Sequence, residues 1–282
     1  NPLPVLDNTS ESVVSAPVST SDVDIDIPSV GIKNSQTYVV VIANEDYQSE
    51  VKVPYAKNDG KVFAEYCEQV LGVPHENIDI FENASYNNIR KAVSNAKMFA
   101  DAAGKNARII FYYAGHGIPD EASCSAYLLP VDGYGSDVTT GYKLDNLYAD
   151  LGNLPISSVT VFIDACFSGS KREGDRLASA RGIAIKVKQG IPVGNMVVFT
   201  ASSSDETAYH YKNKSHGLFT YFLLKKLKET QGDVTYDDLF SYIQSNVKMA
   251  SFQNYRKIQT PTVKASVQMN NSWKTMKLNK AK

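Results

Sequence analysis

The chain has 282 residues, 43% of them hydrophobic, a length within range for a single α/β domain with a sizeable core. Its 29 Lys and Arg against 30 Asp and Glu leave a net charge of −1, which argues against a chain built to coat nucleic acid or a membrane surface. There is no run of about 18 apolar residues, so no membrane span is expected. The three cysteines, Cys67, Cys124 and Cys166, make neither a disulfide framework nor a zinc pattern.

Residues 1–30 carry Asp7, Glu11, Asp22, Asp24 and Asp26 but no Lys or Arg, among many Ser, Thr, Val and Pro. On composition this is an N-terminal extension, and the domain proper is 31–282. A start without Met reads as processed, and together with the polar tail it points to export rather than the cytoplasm. Apolar and acidic residues alternate over Val23–Ile27, which predicts a short strand docking the extension.

Tyr38–Ala43 is an unbroken apolar, β-branched run and predicts a buried strand. Asn58 and Asp59 open a helix whose apolar positions are Val62, Phe63, Tyr66, Val70 and Leu71, and Gly72 with Pro74 stops it. A short strand over Ile78–Phe81 precedes a helix capped by Asn87 or Asn88, running through Ala103 and closed by Gly104. The next strand, from Arg108, ends at His116, which stands between Gly115 and Gly117. Pro119–Thr140 reads as a long rim loop around the apolar run Tyr127–Leu129, and Tyr142–Leu151 reads as a helix. Val159–Asp164 is another buried strand with Cys166 just past its end, where Ser168 and Gly169 allow a tight turn. Lys171–Gly190 is a basic loop, Met196–Ala201 the fifth strand, Gly217–Glu229 and Tyr236–Met249 helices, and Thr262–Gln268 the final strand. Strands alternating with helices predict a mostly parallel α/β sheet.

Such sheets take ligands at the carboxyl ends of their strands, where both His116 and Cys166 fall. A buried strand-end thiol is the ordinary reading of Cys166, but an imidazole at the same rim can lower its pKa or take its proton. Cys124 reads as an incidental surface thiol, His75 and His210 as loop residues, and His216 as a structural residue ahead of the next helix. Three acids stand at element ends: Asp59, Asp164 and Asp205. Each has an ordinary reading as a cap or turn; converged, they form an anionic pocket for Arg or Lys. Asp120, Glu121, Asp132 and Asp137 lack the dense spacing of a cation loop, so no metal is assigned.

Tyr-Ala-Gly-His-Gly over 113–117 and Asp-Ala-Cys-Phe-Ser-Gly over 164–169 resemble the histidine and cysteine motifs of caspase-like cysteine peptidases. Within that clan of caspases and metacaspases, the likeness is greatest to bacterial metacaspase-like proteins. Cys166 lies 50 residues after His116, matching the caspase spacing of about 50, and the resemblance runs from about Tyr38 to Val267. It implies an α/β caspase-like (caspase-hemoglobinase) fold, with a mostly parallel six-stranded sheet flanked by helices. It also implies a cysteine endopeptidase acting on peptides or proteins after Arg or Lys at P1, the substrate residue before the cut bond. Cys166 and His116 are the expected dyad, the backbone N–H groups of Gly117 and Cys166 the oxyanion donors, and Asp59, Asp164 and Asp205 the pocket acids. No third catalytic member is named. Self-cleavage is expected in the 171–190 loop, at Lys171, Arg172, Arg176, Arg181, Lys186 or Lys188.

No cofactor is required; calcium activation, frequent in the group, has no readable site. The expected state is a monomer, and a docked extension fits a latent zymogen whose activity rises when Asn1–Val30 is deleted. One departure is Phe167, where metacaspases commonly carry His. The competing readings are a catalytically silent caspase-like scaffold and an unrelated doubly wound binding domain. The missing Gly-rich phosphate loop disfavours the second.

Overall fold

The computed structural model describes residues 21–120, 122–168, 190–203 and 205–279. Five helices stand among the described strands: β1 (Thr37–Ala43), α1 (Ala56–Gln69), β2 (Ile78–Glu82), α2 (Tyr86–Ala103), β3 (Arg108–Ala114), β4 (Gly117–Pro119), β5 (Ala126–Leu128), β6 (Tyr142–Lys143), α3 (Leu144–Gly152), β7 (Ser158–Asp164), β8 (Met196–Thr200), β9 (His210–Tyr211), β10 (His216–Gly217), α4 (Leu218–Thr230), α5 (Tyr236–Tyr255) and β11 (Thr262–Ala265). The main sheet has six strands in the order β11-β8-β7-β3-β1-β2. All neighbours pair parallel except β11, which runs antiparallel along β8.

The central strands are buried along their whole length, which is why they read as continuous apolar runs rather than alternating ones. Alternate side chains serve two cores. Val39 and Val41 of β1 and Phe162 of β7 face the layer built by α1, α4 and α5, with Phe63, Tyr66, Leu223 and Leu239. Tyr38, Val40 and Ile42 of β1, with Val161 and Ile163 of β7, face α2 and α3 through Ile89, Val93, Leu147 and Leu151. Each such aliphatic side chain contributes about 1.5–3 kcal/mol on burial. Helix α1 sits unusually close to β1, because a Cβ at Gly60 would lie 2.6 Å from that of Ala43. That contact fixes the height of the preceding residue, Asp59, at the sheet's rim.

Several local expectations change. Val23–Ile27 forms turns and a bend, not a strand; Asp24 N–H bonds back to Ser21 O at 3.0 Å, and Val23 is buried in the core below α1 and α4. Ser85 caps α2, closing a capping box with Asn88, so the helix begins earlier than either Asn predicted. Helix α1 begins at Ala56 and not at Asn58, after Tyr55 in the left-handed region at φ 71°. The rim segment is not simply a loop: β4, β5 and β6 form a small antiparallel sheet directly after His116, and Tyr142 belongs to it rather than to α3. Among the described residues no helix is long and apolar enough to cross a membrane.

Candidate active site

Strands β3 and β7 pair in register, Arg108 to Ala114 against Ser158 to Asp164. His116 and Cys166 each lie two residues beyond the last pair, Ala114 and Asp164, so one register carries both to the same rim. Gly117 seals the approach: a Cβ there would lie 2.5 Å from Phe167 Cδ1 and 2.7 Å from the Cys166 carbonyl oxygen. Phe167 fills the α2–α3 core, which is what an apolar residue does where metacaspases carry His. Cys166 faces the opposite core and is 3% exposed.

His116, also 3% exposed, is held from several sides. Its N–H donates to Tyr47 Oη at 2.7 Å, its carbonyl accepts from Tyr113 Oη at 2.7 Å, and the Tyr47 ring lies 4.7 Å from the imidazole. Nε2 is 2.7 Å from the carbonyl oxygen of Val51. A carbonyl only accepts, so Nε2 carries the proton and donates, which makes Nδ1 the lone-pair nitrogen of the neutral ring. The β4–β5 ladder orients the next residue. Leu129 N–H bonds to His116 O and Asp120 N–H to Ser125 O, at 3.0 and 2.8 Å, so the Gly117–Leu128 pair between them is of the non-hydrogen-bonded kind. The N–H of Gly117 therefore points away from β5.

The predicted acids divide. Asp59 and Asp164 are both fully buried and both reach the start of α4. Asp59 accepts from Gly217 N–H at 3.1 Å, and its Oδ1 lies 2.7 Å from His216 Nδ1. Asp164 accepts from Thr220 Oγ1 at 2.7 Å and Thr220 N–H at 3.3 Å. Orphan N–H groups at a helix start suit carboxylates, and two are used here. Asp205 is exposed and accepts from Ser203 Oγ, on its own loop, at 3.0 Å.

His216, predicted as structural, is fully buried between two carboxylates, with Nε2 2.6 Å from Asp24 Oδ1 as well as Nδ1 against Asp59. Burial opposes its charge, but the bonds to Asp24 and Asp59 outweigh it and lift the imidazolium to about 9. His75 is a surface residue against Glu68, and His210 is buried with its ring 5.6 Å from that of Tyr55. Of the other thiols, Cys67 is fully buried in the core, where burial pushes it far up and leaves it inert; Cys124 is partly exposed. The six candidate self-cleavage residues, Lys171 to Lys188, lie outside the described residues, as do Gly169 and Glu121. Asp120 and Asp137 bind their own turns and Asp132 accepts from Tyr86 N–H. Among the described residues no group of His, Cys, Asp and Glu is placed to hold a metal ion.

Comparison with known proteins agrees with this fold. The family model described as the caspase domain matches residues 36–271. The chain belongs to the caspase-domain family. Among solved structures it is similar to caspase-1 from Spodoptera frugiperda, at 14% identity and TM-score 0.59, over 86% of this chain and 91% of that one. It is also similar to protein GSU0716 from Geobacter sulfurreducens, at 16% identity and TM-score 0.62, over 87% and 98% of the two chains. No curated protein matches it. The six-stranded, mostly parallel sheet with its antiparallel edge is thus a caspase fold, and membership supports a cysteine-peptidase-like function on protein substrates.

Proposed function

We propose that the protein is a cysteine endopeptidase that hydrolyses peptide bonds after basic P1 residues with Cys166 as nucleophile and His116 as base. The observation that carries this reading is the β3–β7 register, which brings both residues to one rim with Gly117 packed on the Cys166 carbonyl. The Val51 carbonyl holds His116 Nε2–H and so presents Nδ1 as the basic nitrogen. Nδ1 takes the thiol proton as Cys166 Sγ attacks the scissile carbonyl, then gives it to the leaving amine as the tetrahedral intermediate collapses to a thioester. A water, deprotonated by the same nitrogen, releases the acid product and restores the thiol. The N–H groups of Gly117 and Cys166 hold the developing oxyanion. No step requires a cofactor.

The basic P1 preference is supported by the charge behind the rim. Asp24, Asp59 and Asp164 gather at the start of α4 with one imidazolium among them, which leaves an excess of negative charge to attract Arg or Lys. A substrate cation would enter beside Asp59 and Asp164, with Asp205 on the loop outside them. The basic 171–190 loop supplies bonds that such an enzyme would cut in itself. The test is hydrolysis of two fluorogenic peptides that differ only at P1, Arg against Asp, by wild type and Cys166→Ala. Arg cleavage that disappears in the variant supports the reading. Asp cleavage keeps the peptidase and refutes the pocket, and no cleavage of either peptide favours a silent scaffold.

A further inference from the structure

We propose that Asp24 and His216 are positioning residues for the pocket acid Asp59, so that docking of the N-terminal segment strengthens the binding of a cationic P1 side chain. The inference rests on the reading of Asp59 as a pocket acid. It starts from the segment 21–34, which is a strap laid along α1 and α4 rather than a loose tail. Tyr66 Oη donates to Val23 O at 2.8 Å, Lys228 Nζ to Asp22 O at 2.7 Å, and Tyr221 Oη to Asp22 Oδ1 at 3.0 Å. Lys214 pairs with Asp22 at 2.6 Å, Val30 N–H reaches Gln69 O at 3.2 Å, and Val23 is fully buried. These anchors hold the strap without help from Asp24.

Asp24 does something else. Its carboxylate reaches the outer nitrogen of His216, whose inner nitrogen holds Asp59. With a carboxylate oxygen within 2.7 Å of each ring nitrogen, only the doubly protonated imidazole can donate to both. It is faced by Asp24 from the strap, Asp59 from α1 and the ring of Tyr221 from α4, and around these stand Asp22, Lys214, Tyr211 and Tyr66, which bond or pack against the strap and Tyr221. The His216 charge is thus shared between two anions. Docked, the Asp24–His216–Asp59 unit keeps a net negative charge; without the Asp24 carboxylate the imidazolium neutralises Asp59 alone. His216 also orients Asp59, since Asp59 accepts from it and from Gly217 N–H on the same turn. The inference predicts the opposite of a latent zymogen: removing Asn1–Val30 takes Asp24 with it and weakens the pocket.

The experiment compares full-length wild type with Asp24→Asn, using the Arg peptide for kinetics and agmatine, a free guanidinium amine, for binding. Removing one unit charge from behind the pocket is expected to weaken cation binding by up to roughly fivefold. The expected result is a KM and an agmatine Kd that rise together by about that factor, with kcat changed less than twofold and thermal stability near wild type. The His216 titration midpoint, followed by NMR, should fall in the variant, and Asp24→Glu should restore part of the affinity. Equal agmatine affinity in both proteins, or a loss of kcat at unchanged KM, would overturn the inference alone. No agmatine binding by either protein would overturn the basic-P1 reading and this inference with it.

Discussion

Two buried histidines stand near the same rim, each followed by glycine, and their surroundings make them different reagents. His116 Nε2 meets a neutral acceptor, the Val51 carbonyl, which orients the ring and holds Nδ1 as its other face. His216 meets a carboxylate at each nitrogen and is fixed as a cation, raised to about 9. A base must be able to gain a proton near neutral pH, and a counter-ion must not lose one. Sequence context does not separate them; the partner set does. His116 is therefore expected to matter for rate and His216 for stability and charge.

The comparison breaks if substitutions fail to split along that line. The largest expected effect is on rate: His116→Ala should lower kcat/KM by about 10²–10⁴, while its unfolding free energy in urea stays within about 1–2 kcal/mol of wild type, the cost of one hydrogen bond. His216→Leu should do the reverse in kind, costing about 3–5 kcal/mol in the same urea titration, because the fully buried Asp59 and the part-buried Asp24 lose their cation. Gly117→Ala should cost about 1–3 kcal/mol from the clash with Phe167 and also lower kcat, since the Cys166 carbonyl is pushed with it.

The pH dependence sharpens the contrast further. The folded His216 sits at about 9 against an ordinary value of 6.5, so its stabilisation is complete below 6.5 and is lost as pH rises through 9. Melting temperature should fall between those pH values in wild type and fall less in His216→Leu. Asp24→Asn should show the smallest stability change of the series, since the Asp24 side chain is 18% exposed and the strap keeps its other anchors.

What the sequence discloses depends on how local the cause is. Strands β1, β3 and β7 are legible because burial on both faces demands apolar residues along most of each run, with polar ones such as Arg108, Ser158 and Asp164 at the ends. His116 and Cys166 are legible because a strand ends just before each. The Val51 carbonyl is invisible, as any residue type offers one. Asp24 and His216 lie 192 residues apart, and nothing in either neighbourhood announces the other. The alternation over Val23–Ile27 misled the strand reading: Asp24 is placed by His216, and its neighbour Asp22 by Lys214 and Tyr221, not by a pleat. Asn87 and Asn88 draw the cap in the sequence, whereas the structure gives it to Ser85 with Asn88 returning the reciprocal bond.

The most direct test of the central claim is covalent trapping with a peptidyl-arginine acyloxymethyl ketone, read by mass spectrometry of the intact and digested full-length protein. The account predicts a single adduct on Cys166, none on Cys67 or Cys124, and protection by agmatine. An adduct on Cys124 instead, or Cys166 labelled equally by the matching aspartyl reagent, would contradict it.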